Sequence, residues 1–298
     1  MSKNYQPDAR YRKQTESLSE TESDARYALQ SDTYTKAEID ALFDNYYTKA
    51  EVDALIGGSF DPLSVSTTEV WLDATDNDTI TESSGAVSQW TDKTSNAFTF
   101  DQATGANQPT VTSSVLNSLQ GIVFDGASDR LVNTTLSITQ PYTVFVVART
   151  ENATGGNRHY VFDGRVNSPS DRSLLALRGD STNKPSIWAG SWGAHADTTD
   201  TNFHVFRADF NGASSFIGID GDIDAVNAGS TSNNLDNGMV LGCNYDGTAD
   251  FLDGAICELV ILVNGSTNDK DRIEGYMAWR WGLEGQLESG HPYKSAPP

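Results

Sequence analysis

Phe203–Phe210 reads "FHVFRADF", and beyond Asn211-Gly212 the chain runs on through "SSFIGID" (Ser214–Asp220). Phe206, Ala208 and Phe210 alternate with Val205, Arg207 and Asp209, the period of two that marks a half-buried strand. Asn-Gly between two such runs predicts a tight hairpin turn. The same reading extends in both directions along the chain. Strands are predicted at "EVWLDA" (69–74), "AVSQWTD" (86–92), "GIVFDG" (121–126), "YTVFVVART" (142–150), "HYVFDGR" (159–165) and "RSLLALRG" (172–179). Others are predicted at "SIWAG" (186–190), "GMVLGCNY" (238–245) and "GAICELVILV" (254–263). Many short strands with turn-rich spacing point to a mainly β domain, a β-sandwich or jelly roll, over residues 69–298.

One segment breaks the pattern. In "STNDKDRIEGYMAWRWG", Ser266 or Thr267 can cap a helix, and Asp269 and Asp271 favour its positive end. Ile273, Tyr276 and Met277 form its apolar stripe, and Gly282 can stop it.

The formal net charge of -21 over 298 residues argues against nucleic acid as partner, because phosphate binding needs a Lys/Arg patch. It is the charge of a soluble surface. Cys243 and Cys257 lie in apolar runs and read as buried thiols, with a bridge across neighbouring strands left open. The start, "MSKNYQPDARYRKQ", has no apolar core of the kind a secretory leader needs. No run of 18 apolar residues is present, so membrane insertion is not expected.

Residues 1–58 differ from the rest: they are polar and poor in large aliphatics. "DARY" occurs at Asp8–Tyr11 and Asp24–Tyr27, and "YTKAEIDALF" (Tyr34–Phe43) returns as "YTKAEVDALI" (Tyr47–Ile56). Thr35 and Glu38 make a capping box, and Tyr34 with Ile39 a hydrophobic staple; Thr48, Glu51, Tyr47 and Val52 repeat both. Ile39, Leu42 and Phe43, then Val52, Leu55 and Ile56, form short helical stripes. Helices of two turns are marginal alone, so these stripes are expected to pack against other copies of the chain. A helical hairpin folded onto its own domain is the other option. Gly57-Gly58 ends the pattern, and a linker is expected over 59–68.

The repeated phrase and the DARY units resemble the N-terminal repeats of bacteriophage tail-fibre proteins. That resemblance implies a homotrimer, a stalk attached to other virion proteins through residues 1–58, and a C-terminal receptor-binding head. It also implies synthesis in a host cytoplasm and residence in the virion. The larger part resembles concanavalin A-like, laminin-G-like jelly rolls. The matching pieces are "VWLDATDNDTI", "VSQWTDKT", "QPTV", "GIVFDGASDRL", "LDGAICELVI" and the ending "IEGYMAWRWGLEGQLESGHPYKSAPP".

That fold also hosts glycoside hydrolases, which need two carboxylates flanking the scissile bond. The one-strand Glu-x-Asp-x-x-Glu pattern of the laminarinase-like branch is absent, so no catalytic residue is expected. His159, His195, His204 and His291 are the only imidazoles, and none neighbours a Gly-x-Ser-x-Gly elbow. Alternation sets His204 on the face of Phe206 and Phe210, as a core or rim histidine. "DGDID" and "NYDGTAD" offer closely spaced oxygens of the kind calcium prefers, from Asp220, Asp222, Asp246 and Asp250. Such turns also cap backbone N–H groups without any ion. For a glycan, "SIWAGSWGAHAD" supplies Trp192, His195 and Asp197, and "NATGGNRHY" supplies Arg158 and His159. Trp192 is expected to be exposed and Trp188 to be core; Trp71, Trp90, Trp279 and Trp281 are expected to be packing residues. The sequence therefore predicts a non-enzymatic, trimeric adhesin that binds a host surface glycan. The alternatives are a head-fibre or capsid-decoration protein and, third, a polysaccharide depolymerase.

Overall fold

The Phe203–Asp220 hairpin forms, but its first strand is buried on both faces rather than one. Phe206, Ala208 and Phe210 enter an apolar core, as alternation predicts. Val205, Arg207 and Asp209 are buried too, because the C-terminal helix lies over them. Asp209 accepts from Thr143 Oγ1 (2.5 Å), Arg207 Nε (2.7 Å) and Lys270 Nζ (2.5 Å), so the charges under the helix are paired. The turn is wider than a two-residue one: a short 3₁₀ segment, Gly212–Ser214, connects the strands.

The computed structural model describes residues 60–154, 156–165, 172–179 and 183–298. The repeats expected to form a stalk, with Ile39, Leu42, Phe43, Val52, Leu55 and Ile56, lie outside the described residues. In chain order the strands are β1 (Thr68–Asp73), β2 (Ile80–Ser83), β3 (Ala86–Thr91), β4 (Thr99–Asp101), β5 (Thr110–Leu116) and β6 (Leu119–Asp125). Next come β7 (Leu131–Asn133), β8 (Tyr142–Thr150), β9 (His159–Gly164), β10 (Leu174–Arg178), β11 (Ser186–Trp188) and β12 (Trp192–Ala194). The last are β13 (His204–Phe210), β14 (Ser215–Ile219), β15 (Asp222–Val226), β16 (Met239–Leu241) and β17 (Asp253–Val263), before helix α1 (Thr267–Trp281).

Pairing is antiparallel throughout these strands. One ladder runs β5–β6–β17–β8–β13–β14–β15, with β1 taking over from β6 along the same edge of β17. The other runs β2–β3–β4–β7–β16–β9–β10–β11–β12. A single bridge, Ala86↔Thr110, joins them. The main core lies between the ladders, with Trp90, Phe124, Val146, Phe162, Leu175 and Leu259 among its members. A second core lies between the first ladder and α1, and holds Phe145, Val147, Val260, Ile273, Met277 and Trp281. Burial on both faces explains why β8 and β17 read as continuous apolar runs.

Helix α1 begins as predicted. Ser266 and Asp269 form a capping box, and Gly282 takes the left-handed C-terminal position at φ 71°. Where a linker is expected, the described residues already pack: Phe60 and Val65 are buried, and the Phe60 ring meets Tyr276 edge-on at 5.5 Å. Cys243 and Cys257 are buried free thiols. Cys257 marks a bulge, where the register between β17 and β8 shifts between Ile256 and Glu258. The extra residue turns both Cys257 and Glu258 toward the helix. Glu258, fully buried, accepts from Trp71 Nε1 (2.7 Å), Trp281 Nε1 (2.6 Å) and the Tyr276 hydroxyl (3.1 Å).

Candidate functional site: an aromatic–arginine platform

Strand β10 ladders with β9 on one side and β11 on the other, and β11 turns back into β12 through Ala189-Gly190-Ser191. That three-residue turn sets Trp188 directly opposite Trp192. Both indoles therefore share one face, the one turned away from the main core, and both are half-buried against Tyr160, Leu174 and Ala176. The expected division into one core and one exposed tryptophan is not what forms. The hairpin is held close to β15: a Cβ at Gly193 would come within 2.7 Å of Val226.

Two arginines complete the face. The Arg158 guanidinium lies 5.4 Å from the Trp192 ring centre, and Tyr160 lies 6.4 Å from it. Arg172 sits between Trp188 (5.2 Å) and Tyr245 (4.6 Å) while its Nε donates to both oxygens of Asp163 (2.7 and 2.9 Å). Burial drives the Asp163 carboxyl upward; Arg172 and the Tyr245 N–H oppose that rise. Asp250 stands beside Tyr160 and near both arginines, and burial raises it as well. The loop before Arg158 is fixed from beneath. Buried Arg178 donates to the carbonyls of Asn152 (3.0 Å), Thr154 (2.7 Å) and Asn157. Flat apolar rings beside fixed hydrogen-bonding groups can stack on one face of a sugar and orient its hydroxyls.

Of the residues singled out for a glycan, Arg158 and Trp192 come together and three others do not join them. His159 is buried: Thr150 Oγ1 lies 2.6 Å from its Nδ1, and burial with the Arg178 charge lowers it to about 4, so it is neutral near pH 7. His195 is buried as well; its Nδ1 accepts from the Asp197 N–H (3.0 Å) and its Nε2 meets the Asp222 carbonyl (3.2 Å). These two imidazoles are therefore structural. Asp197 lies on a different cleft, at the other end of the β11–β12 hairpin. Tyr160, Arg172 and Tyr245 were missed. The spacing of "WAGSW" carried the signal for Trp188, since a three-residue turn brings its flanks into register.

Among the described residues, the expected calcium ligands Asp220, Asp222, Asp246 and Asp250 belong to no group of three converging side chains. Asp220 is engaged with His204 and the Val205 N–H, and Asp222 belongs to strand β15 rather than to a ligand turn. Asp246 accepts from its own Thr248. Among the described residues, one group of three metal-type side chains converges, Asp271, Glu274 and His291, within 4.8 Å. There the Tyr293 N–H donates to His291 Nδ1 (3.1 Å), so the ring proton sits on Nε2, 3.5 Å from Glu274. Arg207 Nη1, 3.6 Å from Asp271 and 3.7 Å from Glu274, already brings a positive charge to this cluster.

No family model matches the chain, and no curated protein sequence matches it. Among solved structures, the fold is similar to domain 4 of AbnA, a GH43 extracellular arabinanase from Geobacillus stearothermophilus in complex with arabinotriose. The identity is 15%, over 67% of this chain and 94% of that one, with a TM-score of 0.47. It is also similar to an arabinofuranosidase complexed with arabinofuranosyl-α-1,2-xylobiose, at 14% identity, 66% coverage of this chain and a TM-score of 0.50. The match spans about half (51%) of that enzyme. The botulinum neurotoxin serotype D binding domain matches at 10% identity, over 71% of this chain and 52% of that one, with a TM-score of 0.45. At these identities the likeness concerns the fold alone.

Proposed function

We propose that residues 69–298 form a glycan-binding head of the concanavalin A-like, laminin-G-like jelly-roll type, carried by a trimeric phage tail-fibre or adhesin subunit. The head holds its sugar without cleaving it. The observation that carries this reading is the Trp188–Trp192 pair, set in register beside Arg158 and Arg172 on one face of the β9–β12 ladder. With Arg172 on Asp163 and Arg158 near Asp250, the face is close to neutral, which suits a neutral sugar on a strongly acidic protein. The stalk repeats of residues 1–58 supply the other half of the reading, three heads on one shaft, where weak contacts sum to avidity.

The test is a glycan array probed with the full chain, followed by calorimetry on the best hit. Trp192→Ala should weaken binding by about 1–2 kcal/mol, roughly tenfold, without lowering the melting temperature by more than a few degrees. Equal binding by Trp192→Ala and Trp188→Ala variants would remove the platform from the account. An array with no hit, from a chain confirmed as trimeric, would favour a decoration protein. Release of reducing ends from a bound polysaccharide would favour a depolymerase.

A further inference from the structure

A cleft of about 280 Å³ opens between the ends of the two ladders. Its floor is apolar: Leu177 of β10, Phe206 of β13 and Ile219 of β14. Its rim carries Asp197, Asp200 and His204. The loop that bears the two aspartates is tied down along its length. The His195 N–H donates to the Pro185 carbonyl (2.9 Å), the Thr199 N–H to the Asn183 carbonyl (2.9 Å), and the Thr199 hydroxyl to the Leu177 carbonyl. The walls are thus set before any ligand arrives.

The charges at the rim do not balance. His204 Nδ1 lies 2.5 Å from Asp220 Oδ2, and its Nε2 lies 3.0 Å from Asp200 Oδ1. Carboxylates only accept, so both ring nitrogens donate and the imidazole is positively charged. Burial pulls its pKa down, but the two carboxylates more than offset that and hold it above the ordinary histidine value. Asp200 is further engaged by the Asn202 N–H (2.8 Å) and Nδ2 (2.6 Å). Asp197 differs. Its carboxylate is 71% exposed, and its nearest basic atom, His195 Nδ1, lies 4.0 Å away and serves as an acceptor. With the Lys184 ammonium held on the Ala196 carbonyl beside Asp197, the three carboxylates face two positive charges, which leaves a surplus of one negative charge over an apolar floor.

We propose that this cleft is a second binding site, for a single ring-sized ligand that bears a protonated amine, the amino sugars being the class. The apolar floor takes the flat face of the ring, Asp197 takes the ammonium group, and the volume, at the small end for ligand pockets, admits one ring rather than a chain. The site uses no residue of the tryptophan platform and does not depend on it.

The experiment is ligand-observed NMR, with calorimetric titration, of the full chain near neutral pH with glucosamine, N-acetylglucosamine and glucose. Glucosamine should bind saturably and lose affinity in high salt, and the two uncharged sugars should not compete with it. Asp197→Asn removes an exposed charge and should weaken glucosamine roughly threefold to fivefold with an unchanged melting curve. Thr198→Arg, which adds a positive charge to the exposed rim, should abolish binding. Trp192→Ala should leave glucosamine binding intact, so failure of the platform and failure of the cleft are read separately. Indistinguishable signals from glucosamine and glucose, or full glucosamine affinity in Asp197→Asn, would overturn the proposal.

Discussion

Replacement of Glu258 is the sharpest test of how the helix is held to the sheet. Its carboxylate is the shared acceptor of Trp71 from β1, and of Tyr276 and Trp281 from α1, and it has no exposed surface. Glu258→Leu keeps a side chain of similar bulk and strands three buried donors at once. Each stranded donor costs about 1–3 kcal/mol, but the three share one site and do not add fully. Breaking a buried charged centre of this kind costs about 3–5 kcal/mol. For a domain of this size that is roughly 6–20 °C in melting temperature. Glu258→Gln keeps one acceptor oxygen and turns an NH₂ toward at least one donor, so about 1–3 kcal/mol is expected. Adding Trp281→Phe to Glu258→Leu removes one of the stranded donors, and the pair should cost about 1–2 kcal/mol less than the sum of the singles. Calorimetry and urea unfolding, followed by tryptophan fluorescence, give these numbers directly. A Glu258→Leu protein that melts within about 3 °C of the parent, with an unchanged urea slope, would refute the reasoning.

Stability should also fall as pH rises from about 5 to 8. Burial and the Asp73 charge raise Glu258 to about 7 against an unfolded value near 4.5, so its contribution is full below 4.5 and is lost through 7. His204, also raised, contributes fully below 6.5 and loses that contribution above it. His159, lowered to about 4, opposes this between about 4 and 6.5, and Asp73 and Asp209 oppose it in acid: burial would raise both carboxyls, but Arg280 and Arg207 with their neighbours hold them below 3.8. Melting curves taken across the range should therefore peak near pH 4–6, and a maximum at pH 8 would contradict these assignments. Ser266→Ala should cost about 1 kcal/mol through the lost cap, read as a drop of roughly 2–4 °C. Gly238→Ala should cost at least about 3 kcal/mol, because φ is 105° and the new Cβ would lie 2.0 Å from the Asn133 carbonyl oxygen; a near-parental melting curve would be inconsistent with that contact. Light scattering of the full chain should give a trimer, and Leu42→Asp with Leu55→Asp a monomer; a trimer that survives both changes would place the interface elsewhere.

What the sequence shows and hides follows from how far each force reaches along the chain. All eleven strands predicted from apolar alternation form, because burial sets side-chain periodicity locally. Of the strands it missed, β4 and β7 are partly buried three-residue pieces too short to show a period, and two others are of another kind. β5 is largely exposed, and β15, "DIDAV", is an edge strand whose aspartates read as a calcium turn. Edge strands carry charge to prevent further pairing, so they look like loops. The helix was legible in detail because caps act within four residues. The face it covers was not: nothing in "FHVFRADF" says that Arg207 and Asp209 will meet a helix sixty residues later.

The candidate sites divide in the same way. Trp188 and Trp192 share a face because of the length of the turn between them, a local property that alternation counted from Trp188 alone misses. Arg172 and Tyr245 join them only through the ladder order, which no short stretch records. Glu258 is the clearest case. Strict alternation from Ile256 would send it into the main core, where a carboxylate has no partner. The bulge at Cys257 instead delivers it to two indoles and a phenol. "VWLDA", "AICELVI" and "GYMAWRWG" look like unrelated fragments along the chain, yet each supplies one part of that junction. A single acceptor that ties β1, β17 and α1 together gives a physical reason for those pieces to occur in one sequence.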